Sequence, residues 1–355
     1  MNILVIGKFY IEGFALHIAE TLAAMGNNVR RFEPGIKTGR IGGKIGHRVD
    51  QIRGLICSAA DGLPAIRSSR MRSLWREVEE DSVDLVIVCH DFLWPAEVAE
   101  LKRRSKAKIC MWFPDAIVNF GRAFFMNAEY DALFFKDPYI VSTIREVLKS
   151  PVYYLPECFN PEAHCSEDKN WGNTPEYKCD IATAGNQHSW RVAFLKNFEG
   201  YNVKLWGNSS PLWLPSGAVS RMYQGRGVYC EDKVKAFRGA KIVLNNLHYG
   251  EIWGLNARAF EAAGSGAFQM LDWRPGLSQL FEDGKELVSF RGIQDLKKKI
   301  DYWLPREDER RKIAEAGMKR AYSQHTYQSR LALLLDTMLG RSSGYPVPDI
   351  RCFSD

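Results

Sequence analysis

The chain has 355 residues, a formal net charge of +6 and 46% hydrophobic residues. That is material for two cores in an ordinary globular composition. No apolar run reaches the length of a membrane-spanning helix, and the eight cysteines are scattered without a C-x-x-C, which argues against a disulfide scaffold. Met1-Asn2 leads straight into a strand, so no cleavable signal is expected, and the cysteines read as reduced core residues of a cytosolic protein.

Asn2–Gly7 reads as a buried strand ending in glycine, followed by Gly13 and a helical pattern from Phe14 to Met25 that Gly26 closes. Asn28–Phe32 is the next strand. This opening has a dinucleotide-fold pattern, but G-x5-G is not G-x-G-x-x-G, which gives a Rossmann oxidoreductase little support. Glycines at 35, 39, 42, 43 and 46 predict a loop, and 47–80 predicts one or two basic amphipathic helices. Between Arg30 and Arg76, eleven bases face three acids, a local balance of +8 that exceeds the charge of the whole chain. Such a region favours an anionic partner: a membrane surface, a lipid-linked phosphate or, less favoured, nucleic acid.

Short apolar strands then recur at α/β spacing: Asp84–Cys89, Lys108–Phe113, Asp131–Phe135 and Val152–Leu155. Separation by helix-length sequence predicts a parallel sheet. Two strand ends carry polar groups, His90-Asp91 and Pro114-Asp115, at the end of a strand where ligands bind in open α/β sheets. Each carboxylate can equally be a cap or turn residue. Residues 156–178 read as a linker, and a second α/β pattern follows. Asp180–Ala184 is a strand, Gly185-Asn186 a turn, and Ser189 the cap of a helix carrying Arg191. Asn202–Trp206 is a strand, 232–239 a helix, and Glu286–Phe290 a strand. Helices at 293–303 and 307–322 precede a final amphipathic helix to Leu339, and 341–355 reads as a tail.

The stretch 241–271 organises this second half. It reads as strand, glycine-bearing loop, helix and strand. Asn256 is the expected N-cap, Arg258 lies in the first turn, and Glu261 stands about one turn on. A helix N-terminus beside such a loop suits an anion. Arg258 and Glu261 then offer a cation for phosphates and a carboxylate for sugar hydroxyls on one surface. An ordinary β-α-β unit with an exposed Arg/Glu pair is the plain alternative.

With these pieces placed, the sequence resembles a group-1 glycosyltransferase of the GT-B fold, in the CgeB-like (spore-maturation type) branch. The resemblance rests on YLPECFNPEAH (154–164), DIATAGNQHSWRVAFLKNF (180–198), KIVLNNLH with NARAFEAAGSGAFQML, and LFEDGKELVSFRGIQDLKKKIDYWL (280–304). It continues through RKIAEAGMKRAYSQHTYQSRLALLL (311–335). It implies two Rossmann-like parallel-sheet domains facing across a cleft. An acceptor-side domain would span 1–165, rejoined by a returning helix at 325–340. A nucleotide-sugar domain would span 166–324, with the tail at 341–355. By the resemblance, Glu261 grips the ribose, and Arg258 with the N–H groups of Gly254, Leu255 and Asn256 faces the diphosphate. Gly185 and Arg191 match the glycine turn and arginine of that domain. The common E-x7-E pattern would need a glutamate at 253, where this chain has Trp253; Glu251 stands two residues early.

The implied activity is transfer of a sugar from a nucleotide-diphosphate sugar to a glycan, lipid-linked or protein acceptor. The chain has no D-x-D, so no metal site and no cofactor beyond the donor substrate is expected. Asp91, Asp115, His90 and His248 are the candidates for a base. A non-hydrolysing nucleotide-sugar epimerase and an inactive sugar- or partner-binding module are the rivals. The expected location is the cytoplasm, with a route to the inner membrane face through 30–76.

Overall fold

The computed structural model describes residues 1–34, 56, 60, 62–80, 82–119, 123–165, 174–211 and 213–348. The expected 35–46 loop, most of the basic 47–61 segment, 166–173 of the expected linker and 349–355 of the expected tail lie outside the described residues. The chain forms two compact units. The first comprises Met1–Phe113, Arg122–Phe134 and Leu148–Pro151; the second comprises Pro114–Gly121, Phe135–Val147 and Val152–Asp355.

The first sheet contains β1 (Asn2–Ile6), β2 (Asn28–Phe32), β3 (Leu85–Cys89), β4 (Lys108–Phe113), β5 (Ala132–Phe135) and β6 (Val152–Tyr154), in the order β2-β1-β3-β4-β5-β6. β1 pairs with both β2 and β3 in parallel, with Ile3 opposite Val29 and Leu85. Residues 3–6 of β1 and all of β3 are buried, because parallel strands are covered on both faces. Helices Phe14–Ala24, Pro64–Glu80 and Pro95–Arg104 belong to this unit. Some of the basic region is spent on internal pairing. Arg67 grips Glu97 through both carboxylate oxygens at 2.6 Å, and Arg30 and Arg31 stand 3.9 and 3.8 Å from Glu77 and Glu20.

The second sheet contains β7 (Cys179–Ala184), β8 (Val203–Trp206), β9 (Ala240–Asn245), β10 (Gln269–Asp272) and β11 (Val288–Phe290), in the order β11-β10-β9-β7-β8. Its paired strands run parallel. After β7 the chain steps out to β8 and then crosses back to β9 on the other side of β7. The loops leaving β7 and β9 therefore flank the topological switch point, where open α/β sheets leave a crevice. Helices Ser189–Leu195, Val219–Met222, Glu231–Arg238, Ala257–Gly264, Gly292–Trp303, Glu307–Gln324 and Tyr327–Met338 surround or extend this sheet. Ile181, Leu205, Ile242, Leu244 and Met270 supply the core on one side. One local expectation is corrected: Ser189 is the first residue of its helix, and His188 occupies the cap position without a side-chain cap bond. The Asn256 cap is present, its side chain accepting from the Ala259 N–H at 3.2 Å.

His325 is fully buried and ties the last helix down. It stands 2.7 Å from the Leu280 carbonyl through Nε2 and 2.7 Å from Arg330 through Nδ1. An arginine can only donate, so Nδ1 accepts and Nε2 carries the proton. Burial, reinforced by the Arg330 charge, holds the ring neutral with its pKa pulled down to about 3. The adjoining backbone is bonded to Phe159, whose N–H donates to His325 and whose carbonyl accepts from Tyr327. No helix among the described residues is long and apolar enough to cross a membrane.

Candidate functional site

The Gly185 turn at the end of β7 has φ +133, and a Cβ there would lie 2.4 Å from an Arg258 nitrogen and 2.8 Å from an Arg191 nitrogen. The positive φ favours glycine, and the atoms a Cβ would meet are the ends of two arginine side chains. The two guanidiniums thus converge on one backbone turn. Arg191 reaches it from the first turn of Ser189–Leu195 and donates to the Ala184 carbonyl at 2.9 Å. Arg258 reaches it from Ala257–Gly264 and donates to Asn245 Oδ1 at 2.9 Å. No carboxylate among the described residues lies within 4 Å of either guanidinium. Burial, then the Arg258 charge, pushes Arg191 well below the ordinary arginine range. Burial pulls Arg258 down to about 10, against the opposing carboxylates of Glu261 and Glu251. Both keep their charge at neutral pH. A buried cation, Arg191, and a half-buried one, Arg258, at a switch-point crevice favour a multiply charged anion there.

Asn245, at the end of β9, is a positioning residue that the sequence did not single out. Its amide exchanges hydrogen bonds of 3.0 and 3.1 Å with Asn256 while its oxygen also holds Arg258. Glu261 lies one turn beyond Arg258, with Lys233 Nζ at 3.1 Å and His164 Nε2 at 3.7 Å. Neither of those partners stood out in the sequence, because each comes from an element far along the chain.

Of the backbone groups expected to face an anion, the Gly254 N–H is already engaged. Asp137 Oδ2 accepts from Ile252, Trp253 and Gly254 at 2.8, 3.0 and 3.1 Å, and Oδ1 accepts from Tyr139 at 2.9 Å. The Leu255 side chain is core, packed with Phe159, Leu247 and Phe260.

Beside this loop lies a buried ionic cluster. Lys136 Nζ meets Glu251 Oε1 at 2.7 Å, with both side chains almost wholly buried. Burial opposes the Lys136 charge, but Glu251, Glu157 and Asp115 together raise its pKa. Glu157 is buried, which pushes its carboxyl up to about 8 despite Lys136; Asp115, Glu251 and Glu261 push the same way. Oε2 of Glu157 and of Glu251 meet no donor among the described residues.

His248 joins this cluster, whereas Asp115 is exposed at its rim. Burial lowers the His248 pKa; Glu251 and Asp115 oppose that, and His188 and Lys136 assist it. His248 Nδ1 accepts from the Gly250 N–H at 3.1 Å, so the neutral ring presents Nε2–H as a donor.

In the first unit, Asp91 accepts from the N–H groups of Phe124 and Phe125 at 2.5 and 2.9 Å, which makes it the anchor of the 124–127 turn. Burial lifts its pKa to about 6 against those two bonds. His90 has φ +72 and sits among Phe14, Phe92 and Phe113. A histidine held in the left-handed region is uncommon. No group of three or more His, Cys, Asp or Glu side chains suited to a metal ion occurs among the described residues.

Residues 187–336 match the family model described as glycosyl transferase-like. No curated protein matches the chain significantly. Among solved structures, sucrose-phosphate synthase from Thermosynechococcus elongatus is 12% identical with a TM-score of 0.66, covering 96% of this chain and 100% of that one. HepE of Anabaena in complex with UDP is 11% identical with a TM-score of 0.64, covering 96% and 100%. The trehalose-6-phosphate synthase OtsA is 11% identical with a TM-score of 0.60, covering 95% and 99%. These likenesses show the fold: two Rossmann-like, parallel-sheet units of the GT-B glycosyltransferase type.

Proposed function

We propose that this protein is a glycosyltransferase of the CgeB-like, group-1 kind that moves a sugar from a nucleotide-diphosphate sugar to a glycan, lipid-linked or protein acceptor without a metal. The convergence of Arg191 and Arg258 on Gly185 carries this reading. Departure of a nucleoside diphosphate builds negative charge on phosphate oxygens. Two preorganised guanidiniums in a buried site stabilise that charge with little reorganisation. Glu261, one turn along the same helix, accepts hydrogen bonds from the ribose hydroxyls, with Lys233 fixing its carboxylate. UDP, UDP-glucose and glucose complexes of HepE make uridine nucleotides the first donors to try. Asp115 and His248 are the base candidates of the second unit. His248, with Nδ1 occupied, is better suited to donating a hydrogen bond to a phosphate or hydroxyl oxygen.

The test is calorimetric titration of parent and Glu261→Gln with UDP and UDP-sugars. Loss of charge-assisted bonds costs roughly 1.5–3 kcal/mol, so binding is expected to weaken about 10- to 150-fold with the fold intact. Unchanged affinity would remove Glu261 from the donor site. Hydrolysis of the donor without acceptor supports the transferase, epimer formation the epimerase, and neither the inactive module.

The basic 30–76 region, in which Arg30, Arg31 and Arg67 have internal carboxylate partners, is proposed to recruit an anionic acceptor or membrane. Sedimentation with anionic liposomes should fall between low and physiological salt, because exposed charges are screened over about 8–10 Å. Salt-independent binding would discard the idea.

A further inference from the structure

At the end of the second sheet opposite the Gly185 turn, a groove of about 850 Å³ lies between the N-terminal ends of β7, β9 and β10 and helix Glu307–Gln324. Arg310, Arg311, Ala314, Glu315 and Met318 line it at the three- and four-residue spacing of a single helix face. β7 is six residues long, so the groove stands roughly 20 Å from that turn. Most of its charges are matched. Asp180 pairs with Lys241 at 2.8 Å and Glu307 with Arg311 at 2.9 Å. Glu315 acts on Arg238, whose Nε donates to the Ser265 carbonyl at 2.6 Å.

Two cations on the groove remain, Arg310 and Lys178. Arg310 is only 7% exposed and forms no ion pair among the described residues. The neighbouring carboxylates of Glu307 and Glu309 pair with Arg311 and Arg306 instead. Its Nη1 donates to the Trp303 and Leu304 carbonyls at 2.5 and 2.7 Å, which fixes the guanidinium against the end of helix Gly292–Trp303. Nε and Nη2 meet no acceptor among the described residues, yet neither is a fully buried orphan, so this edge stays open to the groove. The same edge of Arg67 grips both oxygens of Glu97. Lys178 is exposed at the rim and also lacks an ion-pair partner among the described residues.

We infer that this groove is a second ligand site, which takes a small phosphomonoester through the free edge of Arg310 with Lys178 as the second cation. A phosphomonoester is close to a dianion at neutral pH, which matches two unpaired charges, and its oxygens suit a guanidinium fork. A single carboxylate would answer only one of them. Small side chains at Ala240, Ala267 and Ala314 leave more room than a bare phosphate fills, which accommodates the body of the ester. The site does not rest on the transferase reading.

Calorimetric titration of the full chain with inorganic phosphate, glycerol 3-phosphate, glucose 6-phosphate and adenosine 5′-monophosphate tests the site, with glucose as the uncharged control. At least one ester is expected to bind more tightly than inorganic phosphate, and glucose is expected not to bind. Arg310→Met should weaken that ester about 10-fold or more and Lys178→Ala about 3-fold, while Arg258→Met leaves it within about twofold. Because Arg310 also holds a helix end, a urea melt accompanies its variant. If that variant is unfolded, Lys178→Glu decides, since a charge reversal at an exposed position spares the fold and should weaken the ester about 10-fold. Absence of binding by every ester, or equal binding by Lys178→Glu, overturns the proposal. A loss confined to Arg258→Met also overturns it, assigning the ester to the Gly185 turn.

Discussion

Replacing Arg258 by methionine is expected to weaken UDP binding about 10- to 150-fold while leaving the ligand-free protein within about 1 kcal/mol of the parent's stability. The first effect follows from removing one of the two guanidiniums that meet at Gly185. The second follows from a near balance. The variant loses the Arg258–Asn245 bond but also the repulsion between Arg191 and Arg258, which burial strengthens. Binding of bare uridine should hardly change, because it carries no phosphate. Urea melts and calorimetry with UDP and uridine give all three quantities. A loss of several kcal/mol in the ligand-free protein with unaltered UDP affinity would make Arg258 a structural residue.

Lys136→Met is expected to cost about 3–5 kcal/mol of stability, because it strands Glu251 as an uncompensated buried carboxylate, whereas Glu157, with its pKa raised to about 8, is already mostly protonated at neutral pH. The double replacement Lys136→Met with Glu251→Leu should recover much of that loss, since an apolar pair of similar volume avoids the desolvation of both charges. A double variant no more stable than the single one would show that the pair is not the origin of the effect. The same cluster sets a pH dependence. Glu157 has a folded pKa near 8 against an ordinary 4.5. The unfolded chain therefore releases this proton first as pH rises. Its contribution to stability is full below about 4.5 and is lost as pH climbs towards 8. Glu157→Gln lacks that slope, so its melting temperature should gain on the parent's between pH 5 and pH 8. Parallel profiles over that range would show that Glu157 ionises normally in the folded protein.

Much of the architecture was legible from local pattern. Strands such as Asn2–Ile6 and Leu85–Cys89 are continuous β-branched and aliphatic runs, because parallel strands are buried on both faces. Asn256, Arg258 and Glu261 could be placed on one helix from cap chemistry and the 3.6-residue period. The remainder depends on contacts between segments with no fixed sequence spacing. Lys136 meets Glu251 across 115 positions, and Asp137 gathers three N–H groups from the 252–254 loop over a similar separation. Asp91 reads as a catalytic candidate by its strand-end position, yet its role as a turn anchor follows from where the Phe124 and Phe125 N–H groups come to lie. Short-range periodicity determined which elements form and which faces they bury. The protonation state of Glu157, the pairing of Lys136 and the crowding of Arg191 and Arg258 around Gly185 were decided by the tertiary structure, because burial and distance to another charge exist only once the chain has packed.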